Sequence, residues 1–375
     1  MLKISLILRY FSLLFFYYYS LSGYGQHQND CPVKINNNEK KIFEKLPPVK
    51  DTSISGISQL KGVTIQYLGA GGMLISKGTT TIAIDPFFSN SAMSYKDWFK
   101  LWKINMVLKP DTSLLKKIAV IKNIQNVSAV FVTHAHYDHL LDVPHLYHKV
   151  FLKHPIIYGN NSVNKMLKNL IPASDLINVQ DSSAQFTKPE VHWIRVDENI
   201  RVMPILADHA PHYKFVKFFD GETTASPTTD EYYNGTDPLI WNEGRTLTYL
   251  VEITDPSDTL RIHVQTSACT PFEGLPPAAY MKQIGQIDIS MLCMASFDNV
   301  TDYPDKLLHY LNPKKIIVVH WENFFKKYDL NKKRYKIVPF TNGKCFIERM
   351  EKIIFPATVK EKCLLPLPNS IIRLN

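Results

Sequence analysis

The sequence THAHYDH at residues 133–139 holds three histidines and one aspartate within six positions. It directly follows AVFV at residues 129–132, an apolar run that predicts a buried β-strand. Side chains just beyond a strand stand on a rigid backbone and face the cleft at the end of the sheet. Because neutral imidazoles and carboxylates are zinc ligands, the stretch predicts a metal centre at this point.

The spacing within this stretch provides ligands for two ions. His134 and His136 are two positions apart in an extended or turning segment, so their side chains can converge on one ion. Asp138 and His139 follow as the chain turns away, and they can address a second ion a few ångströms from the first. A catalytic zinc keeps one coordination position open for water and lowers the pKa of that water, so the chemistry indicated is hydrolysis.

Residues 133–139 fit the HxHxDH signature of the metallo-β-lactamase superfamily, and the resemblance extends over about 63–322. It implies an α/β fold, an αββα sandwich of two mixed β-sheets flanked by helices. Asp85, after the predicted strand 80–84, resembles the aspartate of the family's early turn. We expect Asp85 to support the site from outside the set of metal ligands.

By this resemblance each metal has three protein ligands: His134, His136 and His209 hold the first, and Asp138, His139 and His320 hold the second. His209 has a rival in His212, three residues further on, which is a candidate ligand, substrate contact or supporting group. His320 follows the apolar strand 315–319 and has the alternative role of a packed histidine at a strand end. We expect both His209 and His320 to be ligands.

The segment 260–268 departs from the family's pattern. The superfamily usually places a bridging aspartate at a strand end between the last two ligand histidines, whereas this segment, LRIHVQTSA, contains no acid. Gln265 or Thr266 stands in its place, depending on a one-residue shift. The resemblance therefore implies zinc as the cofactor, with one ion or two both open, and iron or manganese also suit such ligands.

The metal centre and the resemblance together predict a metallo-hydrolase, in which a metal-activated water attacks an ester, lactone or phosphodiester-type substrate. Asp138 is expected to orient this water as well as to bind metal. His212 is expected to contact a substrate oxygen or to protonate the leaving group. The alternatives are a catalytically inactive binding protein with the same fold and an iron-dependent redox member of the superfamily. The expected partner is a small-molecule or lipid-like substrate.

The chain is predicted to contain one large domain between shorter end segments. The expected divisions are a signal peptide at 1–25, an N-terminal extension at 26–60, a metallo-β-lactamase-like domain at 61–350 with an inserted loop or lid at 213–245, and a C-terminal tail at 351–375. The apolar run 10–21, followed by Gly23 and Gly25, is typical of a cleaved export signal. We therefore expect a secreted or periplasmic protein without a stable membrane anchor.

The cysteine spacing and the charge pattern argue against a cysteine metal site and against nucleic-acid binding. The chain has 5 cysteines, so at least one is free or pairs with another molecule, and no pair has the close spacing of a metal knuckle. The formal net charge is +9, but the lysines are scattered in pairs and there is no arginine-rich face. This pattern indicates a solvated surface, and we expect no nucleic-acid partner.

Overall fold

The protein is described here from a computed structural model that covers residues 31, 38–90, 107–120, 122–330 and 334–375. The predicted signal peptide at 1–25 lies outside the described residues. None of the helices within these ranges has the length and apolar character needed to cross a membrane.

The described residues form two eight-stranded sheets. In chain order the strands are β1 (Pro48–Val49), β2 (Thr52–Ile54), β3 (Val63–Gly69), β4 (Gly72–Lys77), β5 (Thr80–Ile84), β6 (Val127–Phe131), β7 (Ile156–Gly159), β8 (Leu176–Asn178), β9 (Ile194–Arg195), β10 (Ile200–Leu206), β11 (Leu247–Asp255), β12 (Asp258–Gln265), β13 (Ile289–Cys293), β14 (Lys315–Val319), β15 (Cys363–Pro366) and β16 (Ser370–Leu374). One sheet has the order β1-β15-β14-β13-β12-β11-β10-β9, and the other has the order β2-β16-β3-β4-β5-β6-β7-β8.

Helices flank the two sheets. They are α1 (Glu39–Lys45), α2 (Thr112–Ile118), α3 (Lys122–Gln125), α4 (Tyr137–Leu140), α5 (Val143–Lys149), α6 (Asn161–Leu167), α7 (Thr229–Asn234), α8 (Ala278–Ile284), α9 (Asp305–Leu311), α10 (Gly343–Ile353) and α11 (Val359–Lys362). Several begin at side chains that satisfy free backbone N–H groups, as at Thr228, which forms a capping box with Glu231 at the start of α7. Each sheet mixes parallel and antiparallel pairs, so the predicted αββα sandwich is confirmed.

The main core lies between the two sheets. Phe131 on β6 packs edge-on against Tyr249 on β11, with ring centroids 5.3 Å apart. The Tyr249 hydroxyl donates a hydrogen bond to the carbonyl of Val132 at 2.8 Å, which joins the sheets beside the first ligand stretch. Strand β14 is buried along most of its length, as expected for a β-branched strand between parallel neighbours.

Parallel pairing brings the chemically important residues to the ends of neighbouring strands. Strands β5 and β6 run parallel, and Asp85 follows the first while 133–139 follows the second. Strands β12, β13 and β14 also run parallel, so Thr266 and His320 emerge at the same edge of the other sheet. The site therefore lies where the carboxyl ends of strands from both sheets meet.

The end segments, predicted as an N-terminal extension and a C-terminal tail, contribute strands to both sheets. Residues 48–54, placed in the N-terminal extension, form edge strands of both sheets. Residues 363–374, placed in the C-terminal tail at 351–375, form β15, which lies between β1 and β14, and β16, which lies between β2 and β3. Strands of two to five residues give too short an apolar alternation to be recognised from sequence.

A disulfide joins Cys31 to Cys345 on α10, with the Cα atoms 5.6 Å apart. It ties the segment before α1 to the helical layer over one sheet. Cys269, Cys293 and Cys363 are buried free thiols, which confirms that the odd cysteine count leaves unpaired cysteines.

The integration of β16 is testable with a matched pair of variants. Ile372 is fully buried, whereas the neighbouring Arg373 is exposed. Ile372→Ala should lower the free energy of unfolding by about 2–5 kcal/mol, because it leaves a cavity between packed strands. Arg373→Ala should change it by less than about 0.5 kcal/mol. Urea unfolding followed by circular dichroism measures both, and two small changes would mean that this segment is a loose tail.

Candidate metal centre

The turn after β5 is built around the Asp85 carboxylate. Asp85 has a φ of 45°, and its backbone N–H donates to the carbonyl of Phe131 at the end of β6. Its Oδ1 accepts from the Thr133 backbone N–H at 2.7 Å, and its Oδ2 accepts from the Thr133 hydroxyl at 2.6 Å. The carboxylate therefore fixes the first residue of the ligand stretch.

His134, His136 and His209 form the first group of candidate metal ligands, with one ligand atom from each residue all within 4.8 Å of one another. His136 Nε2 faces the carbonyl of Phe219 at 3.3 Å, and His209 Nδ1 faces the carbonyl of Ala210 at 2.7 Å. A carbonyl oxygen only accepts, so these two nitrogens carry the protons. The lone pairs that remain for a metal are on His136 Nδ1 and His209 Nε2.

His134 completes this group with an unsatisfied atom. Its Nδ1 lies 3.0 Å from the Thr133 hydroxyl, while its Nε2 is buried and has no hydrogen-bond partner among the described residues. Unpaired buried polar atoms are costly, and coordination to a metal removes that cost. The first group of histidines therefore fits a metal ion.

Asp138, His139 and His320 form the second group, again with ligand atoms within 4.8 Å. His139 Nδ1 donates to Asp85 Oδ2 at 2.8 Å, which leaves His139 Nε2 free to bind metal. Asp138 Oδ2 lies 3.7 Å from His139 Nε2 and 3.4 Å from His320 Nε2. A carboxylate behind a ligand histidine fixes its tautomer and orientation, so Asp85 has the supporting position expected from sequence.

His320 is held in the left-handed region, with a φ of 53°, directly after β14. Its backbone N–H donates to the Tyr67 hydroxyl at 2.9 Å, and its Nδ1 is buried and unpaired among the described residues. A histidine that only packed at the strand end would require neither the left-handed backbone nor a buried, unpaired nitrogen. The ring instead faces the cleft beside Asp138.

Burial and mutual repulsion set the protonation of the first group, whereas in the second group burial is outweighed by Asp85 and Asp138, which raise the pKa of His139. Burial, with repulsion from neighbouring histidines, lowers the pKa of His134, His136 and His209 well below the usual value for imidazole. For Asp138, burial acts to raise the pKa, but His139 and His320 outweigh it and hold the pKa well below its usual range. Neutral imidazoles and an ionised carboxylate are the forms that bind metal.

The side chains of Gln265 and Thr266, at the end of β12, lie in different surroundings. Thr266 lines the cleft, and its hydroxyl lies 2.9 Å from both Asp85 Oδ2 and the Thr133 hydroxyl. Gln265 turns the other way, and its amide nitrogen donates to Cys269 Sγ at 2.7 Å. Of the two residues, Thr266 thus brings a neutral hydroxyl to the cleft.

The hairpin between β3 and β4 approaches this position closely. A Cβ at Gly71, which has a φ of 84°, would lie 3.0 Å from Thr266 Cβ and 3.4 Å from His139 Cε1. Glycine is therefore required here both for its backbone conformation and for space. The close approach covers the second group of ligands on one side.

His212 lies next to the first group without belonging to it. Its ring centroid is 4.8 Å from that of His209 and 5.2 Å from that of His136. Its Nδ1 accepts from the Phe218 backbone N–H at 3.1 Å, so a neutral His212 carries its proton on Nε2. The structure thus groups His209 with the ligands and places His212 on the wall of the cleft.

The cleft has a volume of about 600 Å³, part of it open to solvent. Its walls are formed by residues from several loops: His136, Tyr137, Asp138, His209, Ala210, His212, Phe219, Thr266, Ser267, Cys293, Ala295, Ser296, His320, Phe324, Phe325, Val338 and Pro339. Within the described ranges, no lysine or arginine lines it. The site therefore combines a polar floor of metal ligands with an uncharged, largely apolar wall.

Several residues of this wall were not predicted from sequence. Phe324 and Phe325 follow His320 closely, and aromatic residues just after a ligand were the available signal. Of the aromatic residues in the inserted loop 213–245, Phe219 lines the cleft. Tyr232 is buried packing, since its hydroxyl donates to the Leu141 carbonyl at 2.7 Å, and Trp241 is buried as well.

Cys293 reaches the cleft but stays outside both groups of ligands. Burial raises the pKa of its thiol to about 12, and Sγ lies 3.6 Å from the Ala295 carbonyl. A neutral thiol is a poor metal ligand.

Part of the chain also matches a known protein family. Residues 80–257 match the family model for the β-lactamase superfamily domain. No curated protein has significant sequence similarity to the chain.

Several solved structures are similar in fold. They include Igni18, a metallo hydrolase from Ignicoccus hospitalis, with 14% identity, a TM-score of 0.43, and coverage of 82% of this chain and 97% of that one. An isothiocyanate hydrolase from Delia radicum gut bacteria has 12% identity, a TM-score of 0.43, and coverage of 82% and 98%. CmlA, a diiron β-hydroxylase from Streptomyces venezuelae, has 11% identity, a TM-score of 0.41, and coverage of 84% and 55%. Similarity at this level carries no argument about the reaction of this chain.

The family match covers the HxHxDH stretch and His209, which the fold brings together into one group of ligands. With two mixed sheets flanked by helices, and with both groups of candidate ligands at their common edge, the chain has the metallo-β-lactamase fold, and residues 80–257 match the β-lactamase superfamily domain.

Proposed function

We propose that this chain is a zinc-dependent hydrolase that cleaves an uncharged carboxylic ester or lactone carrying an apolar group. The observation that carries the proposal is the convergence of two groups of three metal ligands on the floor of one cleft with an apolar wall. In the proposed enzyme, His134, His136 and His209 hold one ion, and Asp138, His139 and His320 hold the other.

Zinc bound in such a site lowers the pKa of a water molecule and polarises a substrate oxygen. The donor set favours zinc because it consists of imidazole and carboxylate with no thiolate, as in many hydrolytic zinc sites. The same donors suit iron or manganese, so elemental analysis of purified protein identifies the resident metal.

Two residues of the chain handle protons in this proposal. Asp138 is ionised and lines the cleft, so its carboxylate accepts a hydrogen bond from the attacking water and orients it. His212 presents Nε2–H to the cleft, because its Nδ1 accepts from the Phe218 backbone N–H and burial lowers the pKa of the ring to about 4. His212 is therefore placed to donate a hydrogen bond to an oxygen of the substrate as negative charge develops on it.

The wall favours an uncharged substrate over a phosphodiester. Phe219, Phe324 and Phe325 offer contact to an acyl or aryl group, which suits small apolar or lipid-like molecules. The described lining offers no lysine or arginine to an anionic phosphodiester, so the metals alone would have to offset its loss of hydration. Ester or lactone chemistry is thus the better match.

Export from the cytoplasm belongs to the same proposal. The disulfide between Cys31 and Cys345 supports it, because such bonds persist in oxidising compartments. We therefore place the enzyme in the periplasm or outside the cell.

Removal of metal tests the proposal directly. Chelation followed by dialysis should lower the rate of aryl ester hydrolysis at least a hundredfold, and added zinc should restore it. His134→Ala and His320→Ala should lose activity to a similar degree because each removes a ligand. His309→Ala is the matched control, since this exposed histidine on α9 lies outside both groups. Full activity in chelated protein, or faster cleavage of a bis-aryl phosphodiester than of the ester, would contradict the proposal.

A second prediction concerns Thr266 and the affinity for the second zinc ion. Thr266→Asp places a carboxylate at the end of β12, beside the Asp85 carboxylate that orients His139, so it should strengthen binding of the second zinc by roughly tenfold or more, as expected for a new anionic ligand or close supporting group. Thr266→Ser keeps the hydroxyl and should leave both binding steps unchanged. Calorimetric titration of metal-free protein with zinc measures the two steps, and identical curves for all three proteins would rule out this role.

A further inference from the structure

Glu243 is a buried carboxylate that lies behind the first group of ligands and outside the cleft. It ends the inserted loop 213–245, and its side chain is 5% exposed. Its Oε1 forms an ion pair with Lys217 Nζ at 2.7 Å. Its Oε2 is buried, has no hydrogen-bond partner among the described residues, and lies 3.8 Å from both His136 Nε2 and His209 Nδ1.

These two nitrogens are the ones opposite the metal-binding atoms. His136 Nε2 and His209 Nδ1 carry protons, because each faces a backbone carbonyl. When a metal binds the far side of an imidazole ring, the ring becomes more positive and its N–H becomes a better donor. An unpaired carboxylate oxygen at equal distance from two such N–H groups is therefore placed to respond to metal binding.

The main chain of Glu243 is tied to the same region. Its carbonyl accepts from the backbone N–H of Ala135, between the two histidines of the ligand stretch, at 3.0 Å. It also accepts from the Asn160 side-chain amide at 2.8 Å. Residue 243 is thus anchored against the ligand stretch by its backbone, and its side chain is directed toward the ligand rings.

Lys217 fixes the carboxylate from the other side. Its ammonium lies between Glu243 Oε1 and Asp208 Oδ1, 2.7 Å and 2.9 Å away, and Asp208 immediately precedes the ligand His209. Asp208 Oδ1 in turn accepts from the His209 backbone N–H at 2.8 Å. Lys217 and Glu243 both belong to the inserted loop, so the loop contacts two ligands of the first metal through one ion-paired unit.

A purely structural ion pair explains only half of this arrangement. Pairing with Lys217 satisfies one oxygen of Glu243, whereas the other is buried against imidazole rings with no partner. Burying an unpaired carboxylate oxygen costs free energy unless another interaction offsets that cost. The positive charge that a metal brings to His136 and His209 offers that interaction.

We propose that Glu243 is a positioning residue for the first metal, and that through it the inserted loop 213–245 and the first metal stabilise each other. The inference rests on the proposed function only in requiring that a metal binds the first group of histidines. Because coupling between two binding or ordering events is reciprocal, metal should order the loop to the same extent that the loop strengthens metal binding.

The test measures metal affinity, which needs no substrate. Glu243→Gln keeps the shape of the side chain but cannot carry the negative charge that a carboxylate can bring to the ligand rings, so it should weaken binding of the tighter zinc by about 10-fold to 100-fold. Glu222→Gln is the matched control in the same loop, where Glu222 pairs with Lys165 at the surface, and it should bind zinc within twofold of the unaltered protein. Competition with a chromophoric chelator gives the dissociation constants.

A conservative variant separates charge from packing. Glu243→Asp keeps the carboxylate, so its zinc affinity should fall between those of Glu243→Gln and the unaltered protein. Equal weakening in both Glu243 variants would show that charge plays no part and would overturn the proposal. So would a folded Glu243→Gln variant that binds zinc as tightly as the unaltered protein.

The loop itself provides an independent readout. Trypsin should cleave after the exposed Lys214, and zinc should slow this cleavage in the unaltered protein much more than in Glu243→Gln. Equal protection in both would overturn the coupling between loop and metal. If the unaltered protein takes up no zinc, the proposed function fails with this inference. If it binds zinc but Glu243→Gln behaves identically, only this inference fails.

Discussion

The Asp85 carboxylate is buried where the two sheets end, and it accepts hydrogen bonds from three different segments. Thr133 donates from the ligand stretch after β6, His139 donates from α4, and Thr266 donates from the end of β12 in the other sheet. A buried carboxylate must be paired to be tolerated, so these contacts hold the segments in one arrangement. That arrangement places both groups of metal ligands around a single cleft.

Charge balance around the site follows from the same arrangement. Thr266 contributes a neutral hydroxyl, so the acidic groups around the candidate ligands are Asp138 within the site and Asp85 and Glu243 beside it. Glu243 approaches the first group from behind and pairs with Lys217, while burial raises the pKa of its carboxyl to about 8.

Local sequence patterns predicted the parts of the site that depend on local structure. The HxHxDH spacing brings four candidate ligands close together within one short segment, so they could be recognised without a structure. They are His134, His136, Asp138 and His139. The choice between Gln265 and Thr266 could not be made, because a one-residue shift at a strand end moves a side chain to the opposite face.

The long-range parts were not predictable from sequence. Glu243 and Lys217 belong to no recognisable motif, and they reach the first group of histidines only because the inserted loop folds back against the ligand stretch. The sequence likewise gives no sign that residues 363–374 form strands β15 and β16, because the strands that pair with them lie far away in the chain. Contacts of this kind depend on the topology of the fold, and no short-range periodicity in the sequence predicts them.

The most direct test of this account is anomalous diffraction at the zinc edge from crystals of the purified protein grown with zinc. The account predicts a peak about 2 Å from His134 Nε2, His136 Nδ1 and His209 Nε2, the usual bonding distance for zinc and imidazole. It predicts a second peak among Asp138, His139 and His320. The absence of a peak at the first group, with zinc in excess, would contradict the claim that this cleft is a metal centre.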